Sequence, residues 1–336
     1  MATDTTGARQ VVVTRRRRLS TAFVCAVLCA AMAACGSSAS SPKEEDSQTS
    51  TAAPTVAPML PSRPPAVIST PAPPPPPVKP VQITDASKLV QGFKKLPGRD
   101  QQLTIAWAPV GHPEQVQQLG TTDTIDAWST IKVPLALAAI QQRGGDLPKA
   151  VANDIEMSVR ISDNDAARRL WEGLENFGMK AELVNEVLGD TGDKRTRAAR
   201  NSAGVRVPFG LTAWRVGDAA KFAATLPCVP YGAQIMRDMR FIDHSQSWGI
   251  GAVARGTNKR GLNVDDVAFK GGWGPSTSGY LMRQVGVLIL PGGGGVGVAL
   301  LVQPHGGNHE AGAKILSQAA SWLRDSLGAT DAGKCA

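Results

Sequence analysis

Residues 54–80 form a proline-rich tract with an unbroken run from Pro73 to Pro77, and this tract decides which part of the chain can fold. Proline fixes φ and removes a backbone donor, so such a stretch stays extended. The segment before it, residues 37–50, is rich in serine and charge and has too little apolar surface to pack. Residues 35–80 therefore read as a semi-stiff tether, with a recognition segment for a proline-binding partner as the alternative. The folded domain is confined to residues 81–336, about 250 residues, enough for one large core or two packed lobes.

Ahead of the tether stand Arg15 to Arg18 and then Leu19 to Ala34, an apolar or small-residue run without a charge. A basic region followed by a run too short to span a membrane is the pattern of a signal peptide, here residues 1–34. The run ends Met32-Ala33-Ala34-Cys35-Gly36-Ser37, which resembles the bacterial lipobox although leucine is commoner where Met32 stands. That resemblance implies cleavage before Cys35 and lipid on its sulfur; Cys29 is a second candidate, with apolar residues still following it. The expected location is the extracytoplasmic face of the cell membrane, held by acyl chains. The formal charge of +8 loses five basic residues and one acid with the signal, leaving 31 against 27. A net +4 is too small an excess to argue for nucleic acid.

Within the domain, Gln102 to Pro109 and Gln115 to Leu119 read as strands, and Ile131 to Gln142 as a buried apolar helix. Ile155 to Glu175, Met179 to Leu188 and Ala213 to Leu226 look helical. Val264 to Lys270, Tyr280 to Leu290 and Gly295 to Gln303 are β-branched-rich runs bounded by glycine or proline, and Ala311 to Leu327 is a closing amphipathic helix. The order predicts an α+β fold: one antiparallel sheet built from both chain ends, with flanking helices and a helical lobe inserted between. Gly292 to Gly295 lie between two apolar strands and read as a hairpin turn, not a phosphate loop. His112, His244, His305 and His309 show no metal spacing, and no cofactor or metal is expected.

Three short motifs carry the chemistry. Ser129-Thr130-Ile131-Lys132 opens the apolar helix, Ser162-Asp163-Asn164 lies in the next helical stretch, and Lys270-Gly271-Gly272 is read at a strand end. Each alone is weak; all three in this order are specific. On a helix, residues i and i+3 share a face, so Lys132 is placed to reach the Ser129 hydroxyl. A serine hydroxyl needs a base, and a desolvated neutral lysine serves. The backbone N–H groups of Ser129 and Trp273 are placed to form an oxyanion hole. Ser162 is assigned to a proton relay, and Asn164, Lys270, Gly272 and Trp273 to substrate binding.

With these motifs, residues 83–330 resemble the class A β-lactamases and their penicillin-binding relatives, and in particular the β-lactamase-related lipoproteins of actinobacteria. Three departures qualify what the resemblance implies. The interval from Lys132 to Ser162 is shorter, so the cleft is expected to be more open. Lys194 to Gly217, which corresponds to the loop bearing the family's deacylating glutamate, holds no acid. Gly271 replaces a hydroxyl residue that helps hold a substrate carboxylate, a loss of about 1–2 kcal/mol. The expected function is a cell-envelope serine hydrolase or acyltransferase with slow or absent β-lactam turnover, acting on peptidoglycan or on a small ester or amide. The alternative is a non-catalytic lipoprotein of the same fold that binds envelope material or a partner. A monomer is expected.

Besides Cys35, the exported chain retains Cys228 and Cys335, which are expected to pair in an oxidising compartment. A buried free Cys228 with a loose Cys335 is the alternative.

Cys35→Ala is expected to release the protein from the membrane fraction on expression. Unchanged membrane association of that variant contradicts the lipid anchor.

Overall fold

Strands from the two ends of the domain meet in one sheet. The computed structural model describes residues 86–174, 180–199, 208–254, 261–276 and 279–336. The expected signal peptide (1–34), Cys35 and the tether (35–80) lie outside the described residues.

The first helix, α1 (Ala86–Phe93), precedes β1 (Thr104–Pro109) and the short β2 (Gln117–Leu119). The remaining sheet strands come from the other end of the domain: β5 (Asp266–Ser276), β6 (Gly279–Ile289) and β7 (Gly295–Val302). Their order is β2-β1-β7-β6-β5, antiparallel throughout, with Ala106 opposite Ala299 and Gly272 opposite Arg283. β5 is an edge strand, and its free side faces the helical region. Strand β7 is buried along its whole length, as its continuous apolar run requires.

Between the two groups of strands lies the helical lobe. A 3-10 turn, Trp128–Ile131, leads into α2 (Lys132–Gln141), whose residues from Lys132 to Ile140 are all buried. A helix apolar on every side belongs at a core centre. Pro134 falls in the first turn of α2, where a missing N–H is tolerated. Around α2 stand α3 (Lys149–Arg160), α4 (Asn164–Gly173) and α5 (Lys180–Asp190), and later α7 (Gly232–Arg240). The helix α6 (Val216–Thr225) packs on β1 and β7, and α8 (His309–Ser326) is capped by the Asn308 side chain.

Several expectations need correction. The helical stretch 155–175 is two helices, α3 and α4, because Ser162 takes a left-handed φ of 64° and Asp163 caps α4 by accepting from Ala166 N at 2.6 Å. Short polar side chains favour such caps over helix interiors; Glu175 lies outside the described residues. Residues Ala213–Arg215 form β4, which pairs with β3 (Thr124–Asp126), so α6 begins only at Val216. Gln115 ends a 3-10 turn rather than starting a strand. The strand expected to end at Lys270 runs on to Ser276, so Lys270-Gly271-Gly272 lies inside β5.

A buried arginine ties the small sheet to the large one. Arg283 of β6 donates from Nη1 to the carbonyls of Ile125, Asp126 and Trp214, each at 3.2 Å. Burial pushes its guanidinium down to about 9, against the opposing charge of Asp126.

Cys228 and Cys335 are joined, with a Cα–Cα separation of 5.3 Å. The bridge and the Gly295–Gly333 backbone pairing hold the C-terminal tail beside the start of β7. The bridge closes a loop of 107 residues, and constraining the unfolded chain to that extent contributes roughly 4–5 kcal/mol in the chain-entropy account. Cys335→Ser is expected to lower the unfolding free energy by about 2–5 kcal/mol in a denaturant titration. A change below about 0.5 kcal/mol would place the bridge outside the cooperative unit.

Candidate active site

The three motifs converge where α2, the α3–α4 corner and β5 meet. Ser129 lies in the 3-10 turn ahead of α2, preceded by Trp128 at the left-handed φ of 47°. Two of the four non-glycine residues with positive φ among the described residues, Trp128 and Ser162, are therefore at this one place. Strained backbone concentrates where a geometry is held for use.

Lys132 and Lys270 both point at Ser162. Lys132 Nζ donates to Ser162 O at 2.6 Å, Asn164 Oδ1 at 2.8 Å, Asp163 O at 3.2 Å and Ser162 Oγ at 3.4 Å. Lys270 Nζ donates to Gly271 O at 2.9 Å, Ser162 Oγ at 3.0 Å and Gln246 Oε1 at 3.4 Å. Lys132 is 1% exposed and Lys270 0%. Burial pushes Lys132 down to about 7, with the charge of Asp163 opposing. Burial first, and then the charge of Lys132, holds Lys270 well below the ordinary lysine range. The oxygens around Lys132 favour its ammonium and desolvation favours its amine, so both forms are populated near neutral pH.

Ser129 stands apart from this network. Among the described residues its hydroxyl makes no hydrogen bond, and the expected Lys132–Ser129 bond is replaced by the bonds of Lys132 to Ser162, Asp163 and Asn164. The two side chains nonetheless line one cleft of ≈ 220 Å³ together with Ser162, Asn164 and Trp273. Catalytic hydrogen bonds often tighten only when substrate is bound.

Lys270 and Gly272 lie behind that lining. A Cβ on Gly272 would sit 2.9 Å from Ser129 N and 3.0 Å from Ala127 O, so only glycine lets β5 approach the Ser129 turn this closely. A Cβ on Gly271 would meet the Trp248 ring at 3.0 Å. Trp248 in turn packs edge-on to Trp273 and His309, with centroids 6.1 and 5.7 Å away. Its carbonyl accepts from the buried Gln284 amide at 2.7 Å, while Gln284 Oε1 accepts from Ile250 N at 2.6 Å.

Sequence reasoning did not assign Trp128, Ile161, Phe209 or Gly210 to the site, yet all four line the cleft. Trp128 and Ile161 adjoin motif residues and were within reach. Phe209 and Gly210 come from a 3-10 turn, Pro208–Leu211, that no motif marks. This turn belongs to the acid-free stretch, and none of the described lining residues is Asp or Glu.

No protein-family model and no curated protein matches the sequence. Solved structures do match the fold. The TLA-3 extended-spectrum β-lactamase superposes with a TM-score of 0.54 at 15% identity, over 72% of this chain and 98% of that one. The TLA-1 extended-spectrum β-lactamase gives 0.54 at 15%, over 71% and 98%. A β-lactamase from Sphaerobacter thermophilus gives 0.51 at 16%, over 73% and 98%. At these identities the likeness establishes a shared fold, the β-lactamase fold.

Lys132 generates a stability prediction. Its folded pKa of about 7 lies below the unfolded lysine value, so the unfolded chain binds more protons between about pH 7 and 10. The unfolding free energy should rise with pH across that window, by up to about 1.4 kcal/mol per unit from this group. Urea titrations at pH 7, 8 and 9 are expected to show wild type gaining on Lys132→Met as pH rises. A constant difference contradicts the depressed pKa.

Proposed function

We propose that this chain is a cell-envelope serine hydrolase or acyltransferase of the β-lactamase and penicillin-binding type, anchored through Cys35, with Ser129 as nucleophile and Lys132 as its base. One observation carries the reading: Ser129 lines a cleft with the buried Lys132 and with Ser162, on whose hydroxyl Lys132 and, from behind the lining, Lys270 converge. A buried, depressed lysine is a competent base at neutral pH, and a second one beside it keeps the shared proton mobile. In this reading Ser129 Oγ attacks a carbonyl carbon and passes its proton to the Lys132 amine. Ser162, bonded to both lysines, carries that proton on to the leaving group. The N–H groups of Ser129 and Trp273 receive the developing oxyanion.

The second half of such a reaction is poorly equipped. An acyl-enzyme is hydrolysed by water that a base must deprotonate, and no carboxylate is among the described residues that line the cleft. Positioned acid–base groups contribute roughly 10²–10⁴-fold, so deacylation lags by about that factor. The same absence, with Lys132 bonded to Ser162, Asp163 and Asn164 rather than to Ser129, favours a second reading: a non-catalytic pocket of the same fold that binds envelope material or a partner.

Intact-mass measurement separates the two. Full-length chain treated with a fluorophosphonate is expected to gain one adduct, absent from Ser129→Ala and slowed about 10²–10⁴-fold in Lys132→Ala. Any penicillin adduct should be long-lived. No adduct with either reagent supports the binding reading, and rapid steady turnover of a penicillin contradicts the missing base.

A further inference from the structure

The walls of the cleft say more about its substrate than its floor does. Trp128, Ile161, Phe209 and Trp273 supply apolar surface around the Ser129 hydroxyl. Ile161 is 47% exposed, and Leu211, in the same turn as Phe209, is also exposed. Of the four large apolar side chains exposed in this way among the described residues, Ile161 lines this cleft. Apolar groups left in water at the mouth of a concave site mark a surface that a ligand covers.

The cations point the same way. Lys132 lines the cleft beside Ser129 and Lys270 lies behind it, and both direct their donors into the protein, onto carbonyls, Asn164, Gln246 and Ser162. Lys132 is the one cation among the described lining residues, with its donors taken by Ser162, Asp163 and Asn164, while Lys270 is fully buried. At position 271 a Cβ would press on the Trp248 ring at 3.0 Å, so a hydroxyl-bearing side chain there requires that ring to give way. That ring is fixed by Trp273 and by the Gln284 bond to its carbonyl. Besides Lys132, the described polar groups lining the cleft are Ser129 Oγ, Ser162 and the amide of Asn164, whose Oδ1 is held by Lys132. They suit one carbonyl and its leaving oxygen. A carboxylate placed against the remaining walls would lose hydration without a partner.

We infer that the cleft takes the neutral, apolar acyl group of an ester in preference to an anionic acyl group. This rests on the reading of Ser129 as nucleophile. In the step, Ser129 Oγ forms a bond to the ester carbonyl carbon and the carbon–oxygen bond to the alcohol breaks. The proton leaving Oγ is transferred through Lys132 to the departing alkoxide, which leaves as the alcohol. Water then cleaves the acyl-serine, releasing the carboxylic acid and restoring the hydroxyl.

The test compares two esters of equal chain length, 4-nitrophenyl hexanoate and the mono-4-nitrophenyl ester of adipic acid. Nitrophenolate release and the intact mass of the full-length chain are read for wild type, Ser129→Ala and Ile161→Arg. The neutral ester is expected to acylate Ser129 on the order of tenfold faster or more, and Ile161→Arg, a change at an exposed rim position, to shrink that ratio. A ratio near one or reversed, or a ratio unmoved by Ile161→Arg, overturns the inference while the nucleophile reading stands. So does fluorophosphonate labelling of Ser129 with both esters inert. No Ser129-dependent adduct from the esters or the fluorophosphonate overturns both.

Discussion

Two buried lysine amines sharing one serine hydroxyl link this structure's helical lobe and sheet at the site. Lys132 reaches Ser162 from the central helix and Lys270 reaches it from the edge of the sheet. Ser162 itself sits at the corner between α3 and α4, in a left-handed conformation that aims its carbonyl at Lys132. None of the three can move without the others. Buried polar donors are costly unless acceptors surround them, and here the two amines meet carbonyls, amide oxygens and the shared hydroxyl. The helical lobe and the sheet are thereby registered against each other, with Ser129 between.

Glycine completes that registration from the sheet side. Gly272 brings the backbone of β5 against the Ser129 turn, and Gly271 makes room for Trp248, which braces Trp273. Both residues serve close approach. The same packing sets Gly271 against the Trp248 ring and keeps the Lys132 and Lys270 amines turned onto protein oxygens.

Much of this was legible in the sequence. Alternating and continuous apolar runs gave the strands, a helix apolar on all faces gave α2, and the ordered motifs brought Ser129, Lys132, Ser162 and Lys270 to one place before any coordinates. Other features were hidden for physical reasons. Glycines punctuate strands as readily as they permit contact, so β5 was read as ending at Lys270 when it continues to Ser276. Ser162-Asp163-Asn164 was visible as a motif but not as a helix break, since its left-handed turn depends on lysines 30 and 108 residues away. The helices α1 and α7 went unread, their amphipathic patterns being short. Phe209 and Gly210 reach the cleft only through tertiary packing, with Phe209 stacked on Trp171 of α4 at 5.4 Å. No local pattern announces such a contact.

In the proposed reaction, burial makes Lys132 the base for Ser129 near neutral pH. The rate at which a neutral fluorophosphonate modifies Ser129, followed from pH 5 to 9, tests it most directly. The account predicts a rise through a single apparent pKa near 7, shifted in Ser162→Ala because Ser162 is a shared partner of both lysines. A rate flat across that range, or rising only as a solvated lysine would near pH 10, contradicts it.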